Sequence, residues 1–235
     1  MKFPHLKFSA LAALIALAAP LQASRSFTAA SNHSIESTVT AFDVPFSVSV
    51  WINPTSLINI MTAFAANGSG TGTGKLRHYM TVTDVGGGDM RMRIVSQAGG
   101  DPIAISSNNV VTGSWQHVAG VWASSTSRSI YLQNVKVTNS VSASVASSGY
   151  IDIGNLLPVD LARPWDGAIA EVAVWSVALT DTEVASLSKG ISPRKIRPQS
   201  LVFYSPLTRN VQDIRGAAIL TDTGTTAADH PRIYR

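Results

Sequence analysis

No cysteine occurs anywhere in the 235 residues, which excludes a disulfide framework, a thiolate nucleophile and a cysteine-ligated zinc. The compartment stays open, because a core of this size holds without covalent staples. Charge is sparse too, with Asp, Glu, Lys and Arg together at 14%. Glutamate is confined to Glu36, Glu171 and Glu183, so no Glu-x-Asp-x-Glu alternation offers the paired carboxylates, about 5 Å apart, of a retaining glycosidase. A Gly-x-Ser-x-Gly elbow is also missing, which removes the strained turn on which one large hydrolase class mounts its serine. His33, His78 and His230 are scattered without metal-ligand spacing.

Two further patterns fall short of a function. The run Asn67 to Lys75 is rich in glycine, but Ser69 stands where a phosphate loop needs its first Gly and Leu76 where it needs Ser or Thr. A loop between strands accounts for it better. The net charge of +4 includes Lys2 and Lys7, and drops to +2 without the first 23 residues. The densest basic run, Arg194-Lys195-Ile196-Arg197, sits between Pro193 and Pro198 and is expected to be a solvated connector. No nucleic-acid partner follows from so small a positive excess.

What is present begins with a basic, then apolar, N-terminus. Lys2, His5 and Lys7 precede an apolar run from Phe8 to Ala19, followed by Pro20-Leu21-Gln22-Ala23. Residues 1 to 23 are expected to be a secretory signal peptide or an N-terminal arm. The run is shorter than the about 20 residues of a membrane span, so no transmembrane segment is expected.

From Ser24 the pattern is strand, turn, strand. Phe46, Val48, Val50 and Ile52 alternate with Ser47, Ser49 and Trp51, the period of a strand with one core face. Thr81-Val82-Thr83 and Met90 to Ile94 flank Asp84-Val85-Gly86-Gly87-Gly88-Asp89, which predicts a hairpin whose glycines supply the positive φ angles. Ile103-Ala104-Ile105, Val118 to Trp122, Ile130 to Val137 and Tyr150 to Ile153 continue the series. One helix is expected: Thr180 and Glu183 make a capping box, Val184 and Leu187 a small apolar face, and Gly190 a stop.

Three ordered segments carry a family resemblance. Trp115 to Trp122, followed by Ser129 to Val135, is similar to the central hairpin of laminin-G-like, concanavalin A-like jelly rolls of the lectin/glucanase superfamily. Phe46 to Pro54 resembles their early strand. Trp165 to Trp175 with Ala178 to Glu183 resembles their late aromatic-Asp-Gly strand and the short helix after it. Where that family usually has an Asp-Glu pair on the late strand, this chain has Ala170-Glu171. The resemblance implies an all-β fold: an antiparallel β-sandwich of jelly-roll type with one short helix, in a single domain over residues 24 to 235. Leu201 to Leu207, Asp213 to Gly216 and Ile219 to Gly224 look like strands that relatives place before their core. Residues 192 to 235 are therefore expected to complete the sandwich as in a circular permutation, the alternative being the start of a second repeat.

Such sandwiches bind at rim loops, and a sugar needs an aromatic face together with carboxylate, amide or guanidinium groups for its hydroxyls. Asn155, Asp160, Arg163 and Trp165 fall in one such loop and are the candidate ligand contacts. The resemblance allows calcium as a cofactor, with Asp84, Asp89 and Asp160 as weak candidate ligands; no other cofactor is expected. His117, in the family motif, reads as a structural histidine. The expected function is non-catalytic recognition of a glycan, a cell-surface polysaccharide or a protein partner, outside the cytoplasm of a bacterium or on a virion, with homo-oligomers possible. A virion decoration or fibre protein is the alternative. A polysaccharide hydrolase is the second alternative, since a distant glutamate can still meet an aspartate in space.

Overall fold

Phe46, Val48, Val50 and Ile52 have no exposed surface, and the strand that carries them sits at the centre of the molecule. The computed structural model describes residues 23–58, 60–68, 77–97, 101–143, 148–156, 163–208, 211–216, 218–230 and 233–234. The signal-peptide expectation over residues 1 to 23 falls outside these except for Ala23, which opens the first strand. Among the described residues, no helix is long and apolar enough to cross a membrane.

The strands run β1 (Ala23–Phe27), β2 (Ser34–Phe42), β3 (Phe46–Pro54), β4 (Met61–Asn67), β5 (Arg77–Asp84), β6 (Met90–Gln97), β7 (Ile103–Asn109), β8 (Gln116–Ser124) and β9 (Ser127–Leu132). They continue with β10 (Val135–Asn139), β11 (Ser148–Ile153), β12 (Gly167–Trp175), helix α1 (Asp181–Ser188), β13 (Leu201–Ser205), β14 (Leu220–Thr223) and β15 (Thr226–Asp229). Two antiparallel sheets result. The first has the order β10-β9-β8-β3-β12-β1-β15, with β13 also paired to β12; the second has the order β14-β2-β11-β4-β5-β6-β7. This is the antiparallel sandwich that the alternating segments predict.

The expected central hairpin is β8 with β9, in register from Val118↔Leu132 to Trp122↔Arg128. Ile130 to Val137 is not one strand, however. Gln133 and Asn134 take φ of 50° and 66°, two consecutive left-handed residues that turn the chain back in a two-residue hairpin into β10. Gly120 in β8 leaves room for the Trp122 indole, which would lie 2.6 Å from a Cβ placed there. That indole stacks on Phe46 at a centroid distance of 4.6 Å.

Both sheets contribute to one main core, with Phe64, Met80, Met92, Ile94, Ile151 and Ile153 facing Phe46, Val48, Trp122 and Val174. Each such side chain contributes about 1.5–3 kcal/mol by leaving water. A second cluster lies on the outside of the first sheet, where Val184 and Leu187 of α1 cover Val121, Ala173 and Trp175. The capping box at Thr180 and Glu183 starts that helix as expected.

The C-terminal segment enters both sheets. β13 pairs with β12, β14 with β2 and β15 with β1. The chain then crosses to Tyr234, whose N–H donates to the Gly190 carbonyl at 2.7 Å. Inside this closure Glu171 sits at a bulge of β12, between the pairs at Ala170 and Ala173, with φ of 55°.

Candidate ligand site on the outer face of the second sheet

Alternation assigns side chains to the two faces of the second sheet. Met80 and Val82 in β5, and Met92 and Ile94 in β6, point into the main core, so Tyr79 and Arg93 point outward. Tyr79 sits between Ala65 of β4 and Val95 of β6. Together with Leu156 and the partly buried Ile103, these form a small apolar cluster separate from the main core.

The two described ends of the connection between β11 and β12 lie at this cluster, Leu156 within it and Arg163 over Tyr79. Gly154, at φ +78°, turns the chain out of β11. Asn155 then accepts two backbone N–H groups on its Oδ1, from Leu156 at 2.8 Å and from Arg163 at 2.9 Å, which ties the two ends of the loop together. The Arg163 carbonyl accepts from the Thr62 N–H at 2.8 Å. So held, the Arg163 guanidinium lies 5.5 Å from the centroid of the Tyr79 ring, within cation–π range.

Arg93 lies in the same place. Burial pulls its guanidinium below its usual pKa; the Tyr79 hydroxyl opposes that shift, the positive charge of Arg163 adds to it, and the Asp101 carboxylate opposes it. Asp101 makes no ion pair with Arg93 among the described residues. Arg93 Nε and Arg163 Nη1 are both shielded from water and have no hydrogen-bond acceptor, and so is Asn155 Nδ2. Such donors cost about 1–3 kcal/mol each, more when charged, unless something else supplies an acceptor.

Across the strands the face becomes acidic. Asp152 of β11 stands in register with Glu36 of β2 and Ala65 of β4. The structure thus brings a glutamate and an aspartate together, a pairing that the sequence left open. Both carboxylates are engaged. Asn67 Nδ2 donates to Asp152 at 2.6 Å, and Glu36 accepts from Tyr150 Oη at 3.0 Å and Ser34 Oγ at 3.2 Å. Burial first, then the Glu36 carboxylate, push the Tyr150 phenol up to about 12, so it remains a donor. Asp152 has no exposed surface and is closed to a substrate bond in this arrangement.

The sequence-derived contacts separate as follows. Arg163 is half-buried at the site. Asn155 is fully buried and holds the loop rather than facing solvent. Trp165 also has no exposed surface and packs in the main core, so it offers no aromatic platform; the reason is that Pro164 and Trp165 lead directly into β12, whose flank is core. Asp160 lies outside the described residues, as does most of the glycine-rich run 67 to 75. Arg93 was missed, because a strand that alternates Met, Arg, Met, Arg, Ile reads as a solvated outer face.

Of the weak metal candidates, Asp84 and Asp89 are hydrogen-bonded within the protein, and Asp160 lies outside the described residues. Asp84 Oδ1 accepts from the Gly86 N–H at 2.7 Å. Asp89 accepts from Asn109 at 2.9 Å and Arg91 at 3.1 Å, bonds that lower its pKa in that order. Among the described residues, no group of three His, Asp or Glu side chains is placed to hold a metal ion.

Among curated protein sequences, none matches this chain at a significant level. Solved structures resemble it in fold. A candidate carbohydrate binding protein from Bacteroides ovatus superposes with a TM-score of 0.66 at 21% identity, over 91% of this chain and 62% of that one; this chain therefore spans less than two thirds of that relative. A heptameric SAP-like pentraxin from Limulus polyphemus gives 0.66 at 16% identity, over 89% of this chain and 96% of its own. Tailspike protein 2 of the Escherichia coli O157:H7 bacteriophage CAB120 gives 0.62 at 16% identity, over 80% of this chain and 27% of its own. A family model matches residues 27–185, more than half of the chain, and on that match the protein belongs to the concanavalin A-like lectin/glucanases superfamily.

Proposed function

We propose that this protein is a non-catalytic glycan-recognition module that works outside the cytoplasm, and that its ligand meets the outer face of the second sheet around Arg163, Arg93 and Tyr79. The observation that carries the reading is a pair of half-buried guanidiniums on one face, Arg93 and Arg163, with Arg163 over the Tyr79 ring and neither in an ion pair among the described residues. A sugar fits such a pair, since its oxygens accept from the exposed N–H groups of the two forks. The similarity to a candidate carbohydrate binding protein agrees with the reading at the level of fold.

Within it, Arg163 is the ligand contact, Asn155 sets the loop that presents it, and Trp165 anchors the loop end in the core. Catalysis is not part of the proposal, because Asp152 is sealed and Glu36 is bonded to two hydroxyls.

Binding of the purified chain to an array of glycans and envelope polysaccharides, with calcium and with chelator, tests the proposal. Selective binding that Arg163→Ala reduces at least about tenfold, the loss of one charge-assisted hydrogen bond, is the expected result. Chelator is expected to change nothing, given the engaged Asp84 and Asp89. A blank array from the folded chain would remove the glycan reading and favour docking to a protein; sugar release from any array member would overturn the non-catalytic assignment.

A further inference from the structure

Resting on the glycan reading above, we infer that the ligand carries a carboxylate, so that the module selects acidic sugars, uronic or other sugar acids, over their neutral counterparts.

Two guanidiniums share this site. Arg163 lies over Tyr79, Arg93 projects from the neighbouring strand on the same face, and each is close enough to act on the other's charge. Each is half-buried, with one N–H shielded and lacking an acceptor and the rest of the guanidinium open to a ligand. Neither is in an ion pair among the described residues, whereas the next arginine along β6, Arg91, is bonded to Asp89 at 3.1 Å and to Asn109 at 3.3 Å. The protein therefore neutralises the arginine at the end of this strand and leaves the inner one open. The Asp101 carboxylate acts on Arg93 without forming an ion pair with it among the described residues, so the two cations have no bonded counter-charge there.

Histidine or lysine placed there could shed a proton to escape burial. A guanidinium cannot, because it stays charged at every physiological pH. Water solvates the exposed edge of each fork, and an anion brought by the ligand compensates the charge more fully. A carboxylate has the right shape, since its two oxygens accept from a planar guanidinium edge in parallel. The cluster beneath, Tyr79, Val95 and Leu156, is apolar and buried, so it supplies no counter-charge of its own. Neutral hydroxyls would fill the same donors but would leave the charge uncompensated, which is the source of the expected discrimination.

The test is titration calorimetry of the full chain with oligogalacturonate and sialyllactose as probes, each against its neutral counterpart, galacturonate methyl ester and lactose, and against a sulfated galactose oligomer. One or both acidic probes are expected to bind at least about tenfold more tightly than the neutral partner, with an affinity that falls as salt rises. Arg93→Gln and Arg163→Gln should each remove most of that preference, and Arg163→Lys should restore little, because a point charge lacks the bidentate edge. Thermal melting of each variant shows whether it is folded; should Arg163→Gln fail, Arg93→Gln reads the same preference from a regular strand. Equal affinity for acidic and neutral forms would overturn the carboxylate inference while leaving glycan recognition standing. Preference for the sulfated oligomer would overturn it as well, and absence of binding to every sugar would take both down.

Discussion

Two regions bury charge in this molecule, and they treat it in opposite ways. At the C-terminal closure, Glu171 is 1% exposed, accepts a hydrogen bond from the Tyr204 hydroxyl and has His230 Nε2 3.0 Å from its other oxygen. The same His230 nitrogen lies 3.3 Å from the Pro206 carbonyl. Acid and partners come from β12, β13 and the segment after β15, so these contacts fasten three parts of the chain. At the outer face of the second sheet, Arg93 and Arg163 are half-buried, each with one shielded N–H that has no such acceptor. Buried polar groups that gather around one another specify a fold, whereas cations on a sheet face without a bonded counter-charge are open to one from outside. On the proposed reading, that difference separates a structural cluster from a binding cluster.

Histidine offers a third solution, and it predicts the largest effect. His78 lies edge-on to Phe46 and Trp122 and shares a hydrogen bond with Ser96 Oγ at 3.0 Å. Burial, and then the charge of Arg128, hold its pKa down at about 3. His117, bonded to Ser49 Oγ at 2.9 Å, is likewise held at about 3 by burial. Both are neutral in the folded protein where the unfolded chain, with the ordinary 6.5, takes up protons. Stability is therefore complete above pH 6.5 and falls as pH drops toward 3, with a slope approaching about 2.7 kcal/mol per pH unit once both histidines contribute. Urea unfolding between pH 7 and pH 4.5 measures that slope, and His117→Gln should remove about half of it. The carboxylates with lowered pKa, Asp181, Glu183 and Asp222, lose their contribution only at lower pH, so this window belongs to the histidines. A flat profile would mean that these bases are not kept neutral by burial.

The closure supplies the next effect. Glu171→Ala leaves the Tyr204 hydroxyl and His230 beside a void, and breaking a buried pair from one side costs about 3–5 kcal/mol. The denaturation midpoint should fall accordingly, and limited proteolysis should cut first after β14. Trp165→Ala is expected to cost a similar about 3–5 kcal/mol as a large core truncation. Trp165→Phe, a smaller loss, should leave glycan affinity unchanged; a selective drop in affinity for that variant would return Trp165 to the binding surface.

Much of the architecture was legible because it depends on local pattern. Phe46 to Pro54 forms β3 end to end, the glycine turn joins β5 and β6 through Val85 and Asp89, and the Thr180 cap starts α1. Each of these rests on residues within a few positions of one another. The site was only half legible. Arg163 belongs to a loop whose composition drew attention, but Arg93 lies seventy residues earlier in an ordinary-looking strand, and only strand pairing brings them to one face. Asn155 looked available because an exposed amide in a loop is a natural sugar ligand; in the folded chain its oxygen is consumed by two backbone N–H groups of its own loop. Trp165 looked like a platform because sequence shows the loop and not the depth at which it ends. Glu171, Tyr204 and His230 were invisible as a group, since their meeting depends on the C-terminal strands pairing with β12 and β1.

The smallest effect sharpens the comparison most, because its sign should differ between the two regions. Glu171→Ala destabilises since its partners lose an acceptor, but Arg93→Met or Arg163→Met removes a charge that has none. The thioether fills much of the volume of the guanidinium stem and packs on Tyr79 and Val95 without needing an acceptor. Each substitution should leave stability unchanged or raise it by about 1 kcal/mol, the relief of one shielded donor, while the affinity for an acidic sugar falls. A binding site held at some cost to folding behaves in this way. Thermal unfolding of the two variants beside the parent at pH 7 reads it directly. A loss as large as that of Glu171→Ala would show that these arginines complete the fold, and the distinction between the two clusters would no longer hold.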